Sequence, residues 1–422
     1  MKDMMPSVSE IRPAFYPTAP EKIEDTGVSE SLLMDLMVRR LSLEGTSNLA
    51  GLSEKLKLSY QVVDYLFRAM RQHQLVEVKG MMGNDYWITL SGTGRNVAAE
   101  RLQISKYAGA APVSLGEYAA AVKTQAAEVD ISRKSLRKAL SDLVVTDSIL
   151  DKLGPAVISQ TSIFLYGPTG NGKTSLAERL LRVYQDTILM PYAVEVDAQV
   201  ITLFDPVVHQ PVEVEDADHD PRWILVKRPY IMVGGELVPA MLELRLDEAS
   251  GIYSAPLQMK ANNGIFLIDD FGRQLISPRD LLNRWIVPLD RRVDYLSLQY
   301  GVKFQIPFEV MVVFATNLDP NDLADEAFLR RIHNKIYIEP VHQHTFDEIF
   351  RRIAVSRNIE LEPDSCENLR KLCLQDGRTE LRACYPMDII NILTSIGRYE
   401  KRPITVTRDE IQRAVGLYFA KA

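Results

Sequence analysis

Apolar residues recur at helical spacing early in the chain and then give way to short continuous runs near its middle. Spans 31–43, 49–56 and 60–72 read as three helices. Ser59 caps the third, which places Val62, Val63, Leu66, Phe67 and Met70 on one face. Spans 75–78 and 86–90, joined by 79–85, read as strand, tight turn, strand. From 158 to 340, strands and helices alternate, which predicts a parallel sheet covered on both faces. The strands fall at 162–166, 193–204, 264–268, 310–315 and 335–338. A long insertion separates the second strand from the third. It holds an acidic loop at 213–220 and a hairpin turning at Gly234-Gly235, between 230–233 and 237–238. A second hairpin is expected about Gly301. The remainder is helical, at 345–357, 366–376, 386–399 and 407–419, with a capping box from Thr407 to Glu410. The pattern divides the chain into a flexible tail (1–27), a three-helix and hairpin unit (28–104), a connector (105–140), an α/β core (141–340) and an all-α lid (341–422).

A length of 422 residues suits two to four domains. With 46% apolar and 25% charged residues, the composition is that of a soluble globular protein. A net charge of −7 argues against a chain that coats nucleic acid generally, though it allows a local basic patch. The cysteines, Cys366, Cys373 and Cys384, show no C-x-x-C spacing, so a zinc site or disulfide framework is not expected. His209, His219 and the nearby aspartates lack regular ligand spacing and read as a solvated charged loop. There is no apolar signal core and no run long enough to span a bilayer, so the expectation is a cytoplasmic protein without membrane insertion.

The order helix, helix, helix, hairpin over 28–104 resembles bacterial winged-helix regulators. A DNA reader of that kind would present Tyr60, Gln61, Arg68 and Arg71 in the major groove, with Lys79 on phosphate. From Val28 to Gln103 there are nine basic and eight acidic residues, a net of +1. DNA affinity comes largely from neutralised phosphates, so this near-neutral unit suits protein docking better than DNA.

Gly167-Pro168-Thr169-Gly170-Asn171-Gly172-Lys173-Thr174 matches G-x-x-x-x-G-K-[ST] at every fixed position, with Ser175 following. It stands between an apolar run and an amphipathic helix. Strand, glycine loop and helix N-terminus make an anion trap, because successive N–H groups and the helix dipole favour negative charge. Lys173 would reach the β- and γ-phosphates of ATP, and Thr174 would ligate Mg²⁺. The run 264–268 ends in Asp269 and Asp270. Beside the phosphate-loop strand, Asp269 would hold Mg²⁺ and Asp270 would polarise the attacking water.

Phosphate loop, acidic pair, Ala315-Thr316-Asn317 and Leu329-Arg330-Arg331-Ile332 follow in that order, and the chain resembles the AAA+ ATPases over about 140–420. The resemblance implies a core of strand order 5-1-4-3-2 with a helical lid, hexameric rings, Asn317 as sensor 1, and Arg331, with Arg330 beside it, as an arginine finger offered to the next subunit. Spans 143–146 and 149–150 lie where such motors contact adenine; core packing accounts for their apolar residues equally well. Two departures stand out: Asp270 occupies the usual Glu position, and Met387 occupies the usual sensor 2 arginine, with Arg382 the possible substitute. The insertions resemble those of MoxR-type and helicase-related branches. The Gly-Ala-Phe-Thr-Gly-Ala loop of NtrC-type activators is absent. The expected activity is Mg-dependent ATP hydrolysis driving remodelling of a protein client. The alternatives are an ATP-switched DNA-binding regulator and a slow nucleotide-gated scaffold.

Overall fold

The computed structural model describes residues 13–83, 85–126, 131–213, 218–323, 326–404 and 406–419. Residues 1–12 of the expected tail, Asn84 of the hairpin turn and 214–217 of the acidic loop lie outside the described residues.

The core is a five-stranded parallel sheet of β1 (Ile163–Tyr166), β2 (Tyr230–Val233), β3 (Ile265–Ile268), β4 (Met311–Thr316) and β5 (Asn334–Tyr337). Across the sheet the order is β5-β1-β4-β3-β2. The strands are apolar throughout because both faces are covered. Alternation sends Phe164, Phe266, Ile268, Val312 and Phe314 to one face, around Trp285. Ile163, Leu165, Ile265, Leu267 and Val313 go to the other, against Leu153, Val157, Leu176 and Leu180. Trp285 meets the Phe266 ring edge-on at 5.2 Å.

β2 is a correction. The sequence presents 193–204 as the second core strand and 230–233 as a hairpin arm. Instead Tyr230–Val233 pairs in parallel with Ile265–Ile268. Ala193–Val196 and Gln199–Thr202 form an antiparallel hairpin in a separate five-stranded sheet with Arg245–Asp247, Ile252–Ser254 and Val113–Ser114. With the pair Thr187–Pro191 and Trp223–Lys227 and the hairpin Val293–Ser297 and Lys303–Pro307, this sheet surrounds its own core of Tyr118, Val194, Ile201, Trp223, Met259, Leu296 and Ile306. The span 105–140 is therefore more than a connector, since it supplies Val113, Tyr118 and Val122 to that core.

The first unit contains helices Glu30–Glu44, Leu49–Leu56 and Tyr60–Gln72 and an antiparallel sheet of Thr46–Asn48, Val76–Met82 and Asp85–Leu90. Helix Gly92–Ile104 closes against the first helix. The described part of the tail is docked. Phe15 packs on Trp223 with ring centroids 4.9 Å apart. The Asp220 N–H donates to Pro17 O at 2.8 Å, and Ser59 Oγ donates to Pro20 O at 2.5 Å. Arg222, 1% exposed, pairs with Asp220 and donates to Thr26 O at 2.7 Å and Pro112 O at 3.2 Å. This ties the tail and the connector to the insertion.

Helices Gln343–Ser356, Ser365–Cys373, Cys384–Glu400 and Arg408–Tyr418 make the C-terminal bundle around Phe346, Phe350, Leu369, Ile389, Leu393 and Ile411. Thr407 caps the last helix by accepting from the Glu410 N–H at 3.4 Å. Among the described residues, no helix is long and apolar enough to cross a membrane.

Candidate nucleotide site

Strand register builds the site. Ile268 lies beside Phe314, and Thr316 beside Tyr166. The residues that leave these three strands, Asp269, Asn317 and Gly167, therefore emerge at one sheet edge. The loop from Gly167 turns through positive φ at Gly167 (132°), Gly170 (79°) and Gly172 (85°). A Cβ on Gly167 would lie 2.4 Å from Ile338 O, so only glycine fits. Helix Lys173–Leu180 starts straight from Gly172, with no side chain capping it. Its first N–H groups and positive dipole end thus face the loop's concavity.

Lys173, 9% exposed, donates from Nζ to Gly167 O at 2.8 Å and Pro168 O at 3.0 Å. Burial lowers its pKa; Asp269 and Asp270 oppose that shift, and Arg382 adds to it. Thr174 Oγ1 donates to Asp269 Oδ1 at 2.9 Å. The two side chains assigned to one Mg²⁺ are therefore already in contact, although 95 positions separate them in the chain.

The acidic turn is held from several sides. The Asp269 N–H donates to Val233 O at 2.8 Å, and the Phe271 N–H to Ala315 O at 2.8 Å. Thr316 Oγ1 donates to Phe271 O at 2.7 Å and accepts from the Leu318 N–H at 3.1 Å. Asp270 has φ 48°, outside the comfortable range of a residue bearing a Cβ. Gln274 spans this turn. Its Nε2 donates to Asp269 O at 2.8 Å and Asp270 O at 3.2 Å, while its Oε1 accepts from the Gly272 N–H at 2.8 Å.

The C-terminal bundle reaches the same loop. Arg382 donates to Thr169 Oγ1 at 3.1 Å, the Ala383 N–H to Asn171 Oδ1 at 3.3 Å, and the Cys384 N–H to Gly170 O at 2.9 Å. The Arg382 Nε is buried with no hydrogen-bond partner among the described residues. Met387, by contrast, is 40% exposed and accepts from Arg357. At the sensor 2 segment it is thus Arg382, not Met387, that meets the phosphate loop.

Two expected participants stand apart. Ser162 Oγ donates to the Arg331 carbonyl at 3.3 Å, which puts Arg331 at the start of β1. The phosphate loop begins at that strand's other end, about 13 Å away at roughly 3.3 Å per residue. Arg331 pairs with Asp290 at 2.8 Å, and Arg330 lies within 3.5 Å of Glu326. Their ion-pair partners named here, Asp290 and Glu326, lie outside the phosphate loop. Leu143, Val145 and Ile149 pack partly buried against the core face that carries Leu176. His209 departs from the solvated loop expected of it: it is 1% exposed. Among the described residues, no group of three or more His, Cys, Asp or Glu side chains could hold a metal ion.

The residues present suit a magnesium nucleotide. An uncapped helix end, two cations with one orphaned donor, and a hydroxyl–carboxylate pair converge on one concavity. Sequence reasoning missed Gln274 and the bond from the Ala383 N–H to Asn171 Oδ1. An amide four positions after an acidic pair, within a glycine turn, is the signal that could have marked Gln274.

Residues 342–417 match a family model described as a domain of unknown function, DUF8689. No curated protein sequence matches the chain. Among solved structures, NtrX from Brucella abortus is similar with a TM-score of 0.41 and 15% identity over 68% of this chain and 59% of that one. This chain thus spans less than two thirds of that NtrX. NtrX in complex with ADP gives 0.41 and 14% over 78% and 68%. The Thermotoga maritima RuvB Holliday junction branch migration motor gives 0.37 and 14% over 68% and 70%.

Proposed function

We propose that the chain is a Mg-dependent ATPase of the AAA+ type, assembling as a ring and remodelling a protein client. The observation that carries this reading is the 2.9 Å contact of Thr174 with Asp269 beside the buried Lys173. In this reading Gly167 to Ser175 cradle the triphosphate, and Thr174 and Asp269 hold the metal. Bound Mg²⁺ would neutralise charge on the β- and γ-phosphates. Asp270 would orient water, with Asn317 beside it. Arg382 would act in place of a sensor 2 arginine, offering its unpaired Nε to phosphate oxygen. Arg331 would serve the neighbouring subunit's nucleotide.

The first unit, in this reading a winged helix, is a docking module. Two of the three cations expected to face DNA are paired within the chain: Arg68 with Asp64 at 2.7 Å and Lys79 with Glu77 at 3.1 Å. Releasing those carboxylates would offset what phosphate contacts gain, so protein is favoured over DNA.

The test is phosphate release and ATP binding by wild type and Lys173→Ala. Wild type should bind ATP and release phosphate only with Mg²⁺, and Lys173→Ala should lose both. Equal background release from the two proteins would sink the ATPase reading.

A further inference from the structure

We propose that Gln274 is a positioning residue for hydrolysis, one that sets the orientation of Asp270 through the backbone of the acidic turn. This rests on the reading that Asp270 polarises the attacking water. One side-chain amide satisfies three backbone groups within four consecutive residues: the carbonyls of Asp269 and Asp270 and the N–H of Gly272. Those groups lie where the backbone is least content. Asp270 is left-handed at φ 48°, and Gly272 has φ 104°. A left-handed residue bearing a Cβ is strained and persists only where its surroundings hold it.

Other backbone restraints hold Asp269 and Phe271 on either side of Asp270. The Asp269 N–H is bonded to β2, and Phe271 is bonded to the end of β4 through Ala315 and Thr316. Between those anchors the peptide that follows Asp270 has two partners for its carbonyl, the Arg273 N–H at 3.0 Å and Gln274 Nε2. Of the two, only the side chain also grips the Asp269 carbonyl. Gln274 thereby couples the metal-side carboxylate to the water-side one. A shift of about 1 Å at a catalytic group can lower a rate by roughly 100-fold, so this bracing matters more than its hydrogen-bond energy suggests. The shorter reach of Asp270 compared with glutamate makes its rate more sensitive to the turn's geometry, since fewer rotamers can correct an error.

The experiment compares wild type, Asp270→Asn, Gln274→Ala and Gln274→Glu in steady-state ATPase assays, with nucleotide affinity measured separately by a fluorescent ATP analogue. Gln274→Glu keeps the shape and the acceptor for Gly272 but turns an oxygen toward two carbonyls. Both Gln274 variants should lose kcat by roughly 10- to 100-fold while KM and analogue affinity stay within about twofold. Thermal midpoints near that of wild type would accompany this. A merely structural role would instead weaken affinity and kcat together, and that result overturns the proposal. Wild-type kcat in both Gln274 variants, with Asp270→Asn inactive, would also overturn it while leaving the ATPase reading intact. If Asp270→Asn turned over like wild type, Asp270 would have no catalytic role and the proposal would fall with it.

Discussion

The His209 ring is fixed in one tautomer by its neighbours. Its Nδ1 accepts from the Asp205 N–H at 2.9 Å, so Nε2 carries the hydrogen and donates to Lys260 O at 2.9 Å. Burial is the main cause lowering its pKa below the ordinary histidine value; the bond to the Lys260 carbonyl and the Asp205 carboxylate oppose that shift, and the Lys260 ammonium adds to it. A histidine whose folded pKa is depressed stabilises the fold above its unfolded value near 6.5, and that contribution is lost as pH falls below it. The thermal midpoint should therefore drop as pH falls below about 6.5, and His209→Gln, which offers both an acceptor and a donor without charge, should flatten that drop. A midpoint profile of His209→Gln that tracks wild type would remove His209 as its source. The turn from Gly167 into helix Lys173–Leu180 was legible in the sequence because its conformation is written in a contiguous pattern of glycines before a helix start. The burial of His209 was not, since it depends on Phe204 and Lys260 closing over the ring, and no local spacing encodes that.

Among elements, the pin that Arg222 makes between the insertion, the tail and the connector has the clearest energetic consequence. Arg222 and Asp220 are 1% and 2% exposed as side chains. Removing one partner of such a pair leaves a buried charge uncompensated, at on the order of 3 kcal/mol. Asp220→Asn should lower unfolding stability by about that amount, and limited proteolysis should then cut near residues 13–27 first. Unchanged urea unfolding and an unchanged digestion pattern would show that the pair bears no such load. The same scale explains the misread strand. Tyr230–Val233 is four residues long and runs into two glycines, which locally is a hairpin arm. Its parallel partner, Ile265–Ile268, lies more than thirty positions on, and only the packed sheet selects it. The helices of the C-terminal bundle were legible because their apolar faces repeat within each segment.

For the whole molecule, the separation of Arg331 from its own phosphate loop carries the ring prediction. If the arginine acts on a neighbour, Arg331→Ala should bind ATP yet hydrolyse it at least 10³-fold more slowly, as loss of such a finger does. Mixing it with Lys173→Ala should restore partial turnover, because some junctions then pair an intact loop with an intact finger. No recovery in mixed assemblies, or full turnover by Arg331→Ala alone, would exclude the trans arrangement. By itself the sequence determined the phosphate loop, the apolar strands, the acidic pair and most helices, because each is written in neighbouring residues through backbone conformation or periodicity. Tertiary structure alone decided which strand borders β3, that Arg382 rather than Met387 meets the loop, and that Gln274 braces the acidic turn. Those outcomes depend on register and on how one segment's end lies against another's, which are properties of the closed core rather than of any stretch of chain.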